Sequence, residues 1–209
     1  IPARKNSKGI KFKNRIFFNN TAKFVSNLNF IDKTIVSSDD KIILKKAHEF
    51  NFQIHYRKKK YSGDKVSIKK TLLNLISEIN LNKNDNLWLF YIPFMYRKKI
   101  DYLNAKNITK KKNFKSFCSF INIDYSYHPY YSWYFKKKRV YRYIKNDCFR
   151  RQDLPKAFTH NHYLSCFKVG EVKYLSSELI NKETIPIFLS DSTRDKLIEI
   201  DSKKDMLKF

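Results

Sequence analysis

The chain has 209 residues and carries 44 Lys and Arg against 19 Asp and Glu, a formal charge of +25. With 42% apolar residues it can bury a core, which excludes a disordered tail. A charge this large opposes compaction unless a polyanion neutralises it, and no apolar run is long enough to span a bilayer, which points to nucleic acid and away from a membrane partner.

The charge is uneven. Val169–Phe209 holds 7 basic and 8 acidic residues, whereas Ile1–Lys168 holds 37 and 11. Lys outnumbers Arg 35 to 9, although Arg is the better phosphate fork. Lys, Asn, Ile, Phe and Tyr share A/T-rich codons, so the composition suggests an A/T-rich genome of the organellar kind. The three cysteines, Cys118, Cys148 and Cys166, are odd in number and widely spaced, which argues for a reducing compartment and against a disulfide framework. Ile1 is not an initiator Met, which fits either a removed leader or earlier residues outside this sequence.

In chain order, residues 1–15 form a basic arm containing Lys11, Lys13 and Arg15. Residues 16–55 follow as a small helix-plus-hairpin unit. Asn20 or Thr21 can cap a short helix that buries Ala22, Phe24, Val25 and Leu28. Phe30–Val36 and Lys41–Leu44 then read as strands joined by a turn at Asp39-Asp40. Residues 56–153 read as a basic, aromatic-rich insertion. It opens on Arg57, Lys58, Lys59 and Lys60, and Asp64 starts the clearest helix, with Ile68, Leu72, Leu75, Ile76 and Ile79 at helical spacing. Leu87–Met95 reads as a buried strand broken at Pro93. Arg97–Lys115 has few apolar anchors and reads as a segment ordered only on RNA.

The block Tyr125–Arg151 carries seven aromatic residues up to Phe135, followed by Lys136, Lys137, Lys138, Arg139, Arg142, Lys145, Arg150 and Arg151. Cations neutralise phosphates and aromatic faces stack on unpaired bases, so this block is the strongest RNA signal in the chain. Residues 154–209 form a C-terminal strand extension, with strands at Val169–Leu175 and Lys196–Ile200 around a Glu183-Thr184-Ile185-Pro186 loop.

Signatures of catalysis are missing. Glycines stand only at 9, 63 and 170, too few for a phosphate loop, and there is no nucleophile elbow or H-E-x-x-H helix. His160, His162, Cys148 and Cys166 match no zinc-finger spacing. These readings give no catalytic residue, no metal, no cofactor and no small-molecule substrate.

The C-terminal stretch, with Leu154-Pro155, Val169-Gly170-Glu171-Val172, Glu183-Thr184-Ile185-Pro186 and Lys196-Leu197-Ile198-Glu199-Ile200, resembles the end of the small-subunit ribosomal protein four family. Ala22-Lys23-Phe24-Val25, Phe30-Ile31-Asp32-Lys33 and Asp39-Asp40-Lys41-Ile42 stand where that family has its helix-hairpin motifs, with Lys23, Asp32 and Asp39 departing from the pattern. The resemblance implies an α+β fold and a structural constituent of the mitochondrial small ribosomal subunit in the matrix, not an enzyme. Its partners would be small-subunit ribosomal RNA and neighbouring ribosomal proteins, with Asn19, Asn20 and Lys23 joining the basic residues above on the RNA. A small-subunit protein three type and an intron-encoded nuclease or maturase are the alternatives.

Overall fold

The computed structural model describes residues 1–6 and 9–207. The supposed basic arm begins as sheet. Ala3 N donates to Ser37 O at 2.9 Å and Ser37 N to Ile1 O at 3.0 Å, while Pro2 pairs in parallel with Ser37. Ala3 is wholly buried and Ile10 nearly so. Helix α1 spans Lys13–Ser26, seven residues ahead of the expected cap at Asn20. It starts after Phe12, held at a φ of 57°, with no side-chain cap. Phe17, Phe18, Ala22 and Val25 form the stripe that it buries.

Strand β1, Ile35–Ser38, is followed by helix α2, Lys41–Glu49, and strand β2, Gln53–Tyr56. The two strands pair in parallel, Ile35 opposite Gln53 and Ser38 opposite Tyr56. Parallel neighbours need a crossover, and α2 is that crossover. The expected hairpin is therefore absent. Asp40 is not a turn residue but the cap of α2, accepting from Ile42 N at 3.0 Å. Ile43, Leu44 and Ala47 then fall on the buried face of a helix, not on a strand.

Helix α3, Ile68–Ile79, lies where its periodicity puts it and buries Leu72 and Leu75. Its cap is Ser67, which accepts from Lys70 N, so the helix starts later than the expected Asp64, and Asn80 in the left-handed region ends it. Strand β3 is short, Asn86–Trp88. After it, Leu89, Phe90, Ile92 and Phe94 are all buried. The segment expected to need RNA is helix α4, Lys99–Thr109. Two anchors suffice to order it. Ala105 is buried, and Tyr102 stacks on Phe90 with centroids 5.5 Å apart and donates to Tyr163 O at 2.7 Å.

Strand β4 is Ser116–Asn122. Strands β5, Trp133–Lys136, and β6, Arg139–Arg142, form an exposed hairpin turned by Lys137 and Lys138, both at positive φ. Strand β7, Phe158–Lys168, is the longest, and β8 is Thr184–Phe188. Short helices α5, Asp191–Arg194, and α6, Lys203–Met206, close the chain. The main sheet runs β3-β7-β4-β8, antiparallel except for the parallel pair β4 and β8. Between β4 and β7 the register jumps: Cys118 faces Ser165 but Ser119 faces Asn161, which leaves residues 162–164 outside the ladder as a bulge of three residues.

The C-terminal expectations are reversed here as well. Val169–Tyr174 is a 3-10 turn, and Thr184 to Pro186 belong to β8, an edge strand, which tolerates proline. Residues 196–200 contribute one bridge, Glu199 to Phe94. The α+β arrangement of helix-plus-hairpin domain, basic insertion and strand extension is thus corrected to an α/β fold with a parallel crossover unit and a mixed sheet. Among the described residues, no helix is long and apolar enough to cross a membrane.

Phe117 on β4 is fully buried amid Trp88, Phe114 and the β7 residues. Its replacement by Ala is expected to cost about 3–5 kcal/mol in chemical denaturation. Phe149→Ser, at an 82% exposed position, is expected to stay within about 0.5 kcal/mol.

Candidate functional site

Residues 2–4 and 9–14, the β2–α3 connection and residues 199–201 meet around a cleft of about 460 Å³. Its lining mixes small or apolar groups, Pro2, Tyr61, Ser62, Gly63, Val66, Ile68 and Thr71, with the charged Arg4, Lys13, Arg57, Glu199 and Asp201.

Each charged group is placed by the local fold. Arg57 follows β2 and is buried, donating from Nη2 to Ser37 O at 2.8 Å and from Nε to Ser37 Oγ at 3.2 Å. Burial lowers its pKa to about 10, against the pull of Asp39, so it stays a cation at neutral pH. Lys13, in the first turn of α1, is buried with its ammonium on Asp201. Asn14 donates to Arg4 O at 2.8 Å, and Arg4 reaches Asp64 at 2.7 Å. Glu199 is pushed up, first by the protein around it and then by the like charge of Asp201.

Gly9 closes the arrangement. A Cβ built there would sit 1.7 Å from Asp201 O, so only glycine lets residues 9–14 pack on the C-terminal segment. Tyr91 forms part of the floor, and burial pushes its hydroxyl above the usual range.

The sequence-predicted residues separate into groups. Lys13 and Arg57 enter the cleft. Arg15 stands beside it, in a two-pronged pair with Asp40 at 2.6 and 3.2 Å. Asn19, Asn20, Lys11 and Lys23 are exposed, with Asn20 on Met95 O at 3.2 Å. Lys58 is tied to Glu78 at 2.7 Å, while Lys59 and Lys60 are exposed. Lys136, Lys137, Lys138 and Arg139 make the tip of the β5–β6 hairpin. Arg142 lies over Trp133 at 4.6 Å, Arg151 over Tyr125 at 4.4 Å, and Arg150 pairs with Asp153 at 2.6 Å. Nothing brings that hairpin set to the cleft.

Arg4, Gly9, Asn14, Tyr91, Glu199 and Asp201 carry no local signal strong enough to be singled out. Gly9 comes nearest, as one of only three glycines and set among cations. Of the cysteines, Cys118 and Cys166 are buried and their thiols are pushed up, Cys118 to about 12. His162 is held neutral down to about 4, by burial and then by His160.

No protein-family model matches the chain, and no curated protein matches it. Solved structures do match. A CMP:2-keto-3-deoxy-manno-octonic acid synthetase complexed with CTP superposes with a TM-score of 0.67 at 11% identity, over 99% of this chain and 93% of that one. A 4-diphosphocytidyl-2C-methyl-D-erythritol synthase superposes with a TM-score of 0.56 at 10% identity, over 99% and 94%.

At these identities the likeness establishes a shared fold, one that runs from end to end of the chain. The resemblance to small-subunit ribosomal protein four is overturned by it, since the short C-terminal motifs lie in a 3-10 turn, an edge strand and a cleft wall. The role drawn from that resemblance falls with it: a mitochondrial ribosomal constituent, not an enzyme, partnered by ribosomal RNA and ribosomal proteins and lacking a small-molecule substrate. The protein three and nuclease or maturase alternatives fit this fold no better.

Gly9→Ala is expected to force the basic loop off the C-terminal segment and cost about 1–3 kcal/mol. The expected readout is faster hydrogen exchange at Ala3 and Ile10. Gly63→Ala meets only Val66 Cγ2 at 3.7 Å and should leave stability within about 0.5 kcal/mol.

Proposed function

We propose that the chain is a nucleotidyltransferase that takes a nucleoside triphosphate into this cleft and passes its nucleotidyl group to an oxygen of a small polyhydroxylated acceptor. The observation that carries the reading is the mixed lining of the cleft. Pro2, Tyr61 to Gly63, Val66 and Ile68 offer surface suited to a base and ribose, and Arg4, Lys13 and Arg57 are cations suited to a polyphosphate. Both solved structures compared above carry a cytidine nucleotide in their names, which makes CTP the first candidate.

In the free protein the cations are already paired, Lys13 with Asp201 and Arg4 with Asp64. A triphosphate with its magnesium ion offers each partner an exchange. The ammonium and guanidinium turn to phosphate oxygens, and Glu199 and Asp201 are oxygen donors of the kind that magnesium takes. For Lys13 and Asp201 the exchange replaces one charged partner by another, which matters in a partly desolvated cleft.

The reaction is a displacement at the α-phosphorus. An acceptor oxygen forms the new P–O bond, the bond to the bridging oxygen of the β-phosphate breaks, and the acceptor proton goes to solvent. Pyrophosphate leaves with the negative charge. Arg4, Lys13 and Arg57 stabilise that charge as it grows, which is an electrostatic contribution requiring no covalent intermediate.

Calorimetric titration with CTP, UTP, ATP and GTP in magnesium buffer tests the binding half. CTP is expected to bind best, and Arg4→Ala and Lys13→Met are each expected to weaken it about 10–100-fold, the value of one charge-assisted hydrogen bond. Pyrophosphate release with a panel of sugar acids and polyol phosphates tests the transfer. No binding of any of the four nucleotides, or binding untouched by both substitutions, would overturn the reading.

A further inference from the structure

The bulge in β7 gathers groups that the cleft does not use. Its first ladder-free residue is His162, and His160 stands two positions earlier on the same strand. The rings meet edge to face with centroids 5.4 Å apart. Glu178, from the loop after the 3-10 turn, brings Oε2 to 3.4 Å from His160 Nε2. One ligand atom of each residue lies within 4.8 Å of the other two.

The bulge is a built feature. Ser119 Oγ donates to Asn161 O at 2.9 Å and accepts from Leu164 N at 2.9 Å, while Asn161 Oδ1 accepts from Tyr163 N at 3.2 Å. Those bonds satisfy the backbone that the missing ladder would leave bare. The His162 ring is fixed from three sides: Ser165 Oγ at 3.3 Å and Cys118 Sγ at 3.8 Å from Nδ1, and Tyr91 at 5.2 Å between centroids. Outer hydrogen bonds of this kind set the orientation of metal-binding imidazoles.

We propose that His160, His162 and Glu178 form a binding site for one divalent ion of the zinc class. Two imidazoles and one carboxylate are the donors that borderline-soft ions prefer over magnesium or calcium. Three protein ligands leave a coordination position open to water or another small ligand. Glu178 is mostly exposed on its loop, so its side chain can swing the short distance that separates the observed spacing from the tighter packing of ligands around an ion. The site is separate from the triphosphate cleft but touches it through Tyr91, which lines one and packs on the other. The inference does not rest on the nucleotidyltransferase reading.

Equilibrium dialysis of the intact chain against zinc chloride, without nucleotide, tests it. One zinc per chain is expected, together with the visible absorption of a low-coordinate cobalt complex when Co2+ replaces it. Glu178→Gln, at an exposed position that folding does not depend on, is expected to weaken binding about 10-fold or more, and His160→Gln about 100-fold. Cys148→Ser is expected to leave binding unchanged. Substoichiometric or absent binding, loss in Cys148→Ser, or no change in Glu178→Gln and His160→Gln would each overturn the site.

Discussion

Backbone pairing between residues 1–3 and β1 sets the position of everything that faces the cleft. Ser37 takes part in that pairing through both its N–H and its C=O, and its side chain and carbonyl also hold the Arg57 guanidinium. One residue thus joins the N-terminal segment, the sheet beside it and the buried Arg57 guanidinium. Asp39 and Asp40, the next acids along, take Lys5 N at 2.7 Å and the Arg15 fork. A basic segment that would repel itself in isolation is held by anchors at Ser37, Asp39 and Asp40 and by the close contact of Gly9 on Asp201.

The central sheet has a different support. Tyr102 from α4, Trp88 from β3, Phe117 from β4 and Tyr163 from β7 form one connected aromatic cluster. Tyr102 and Tyr163 spend their hydroxyls inward, on Tyr163 O and on Asp101 at 2.7 Å, so neither ring leaves a polar atom bare. With few glycines and many rings, the chain fills its interior by aromatic area where other proteins would use small aliphatic groups.

What could be read from the residues was the body of helix α3, though not its start, and the burial of Ala22, Val25 and Leu28. What could not be read follows from physics. Asp39-Asp40 serves equally as a turn or a helix cap, and Lys41 to Leu44 is too short to show a period, so crossover and hairpin looked alike. β7 mixes Thr, His, Asn and Ser with its apolar residues because its bulge breaks the alternation of two. The net charge was the strongest signal and the most misleading one. Most of the lysines are solvated, and a surplus of cations does not distinguish a polynucleotide from a single triphosphate. Glu199 and Asp201 face Lys13 across nearly the whole chain, a distance at which no motif operates.

The burial of two thiols has a practical outcome. Alkylating reagents attack the thiolate, and Cys118 and Cys166, walled in by β4 and β7, hold their protons far into the alkaline range. Cys148 alone is only half-buried, just past the β5–β6 hairpin. The native chain therefore comes with a single addressable handle for a maleimide dye, placed on its most exposed aromatic surface without any engineering.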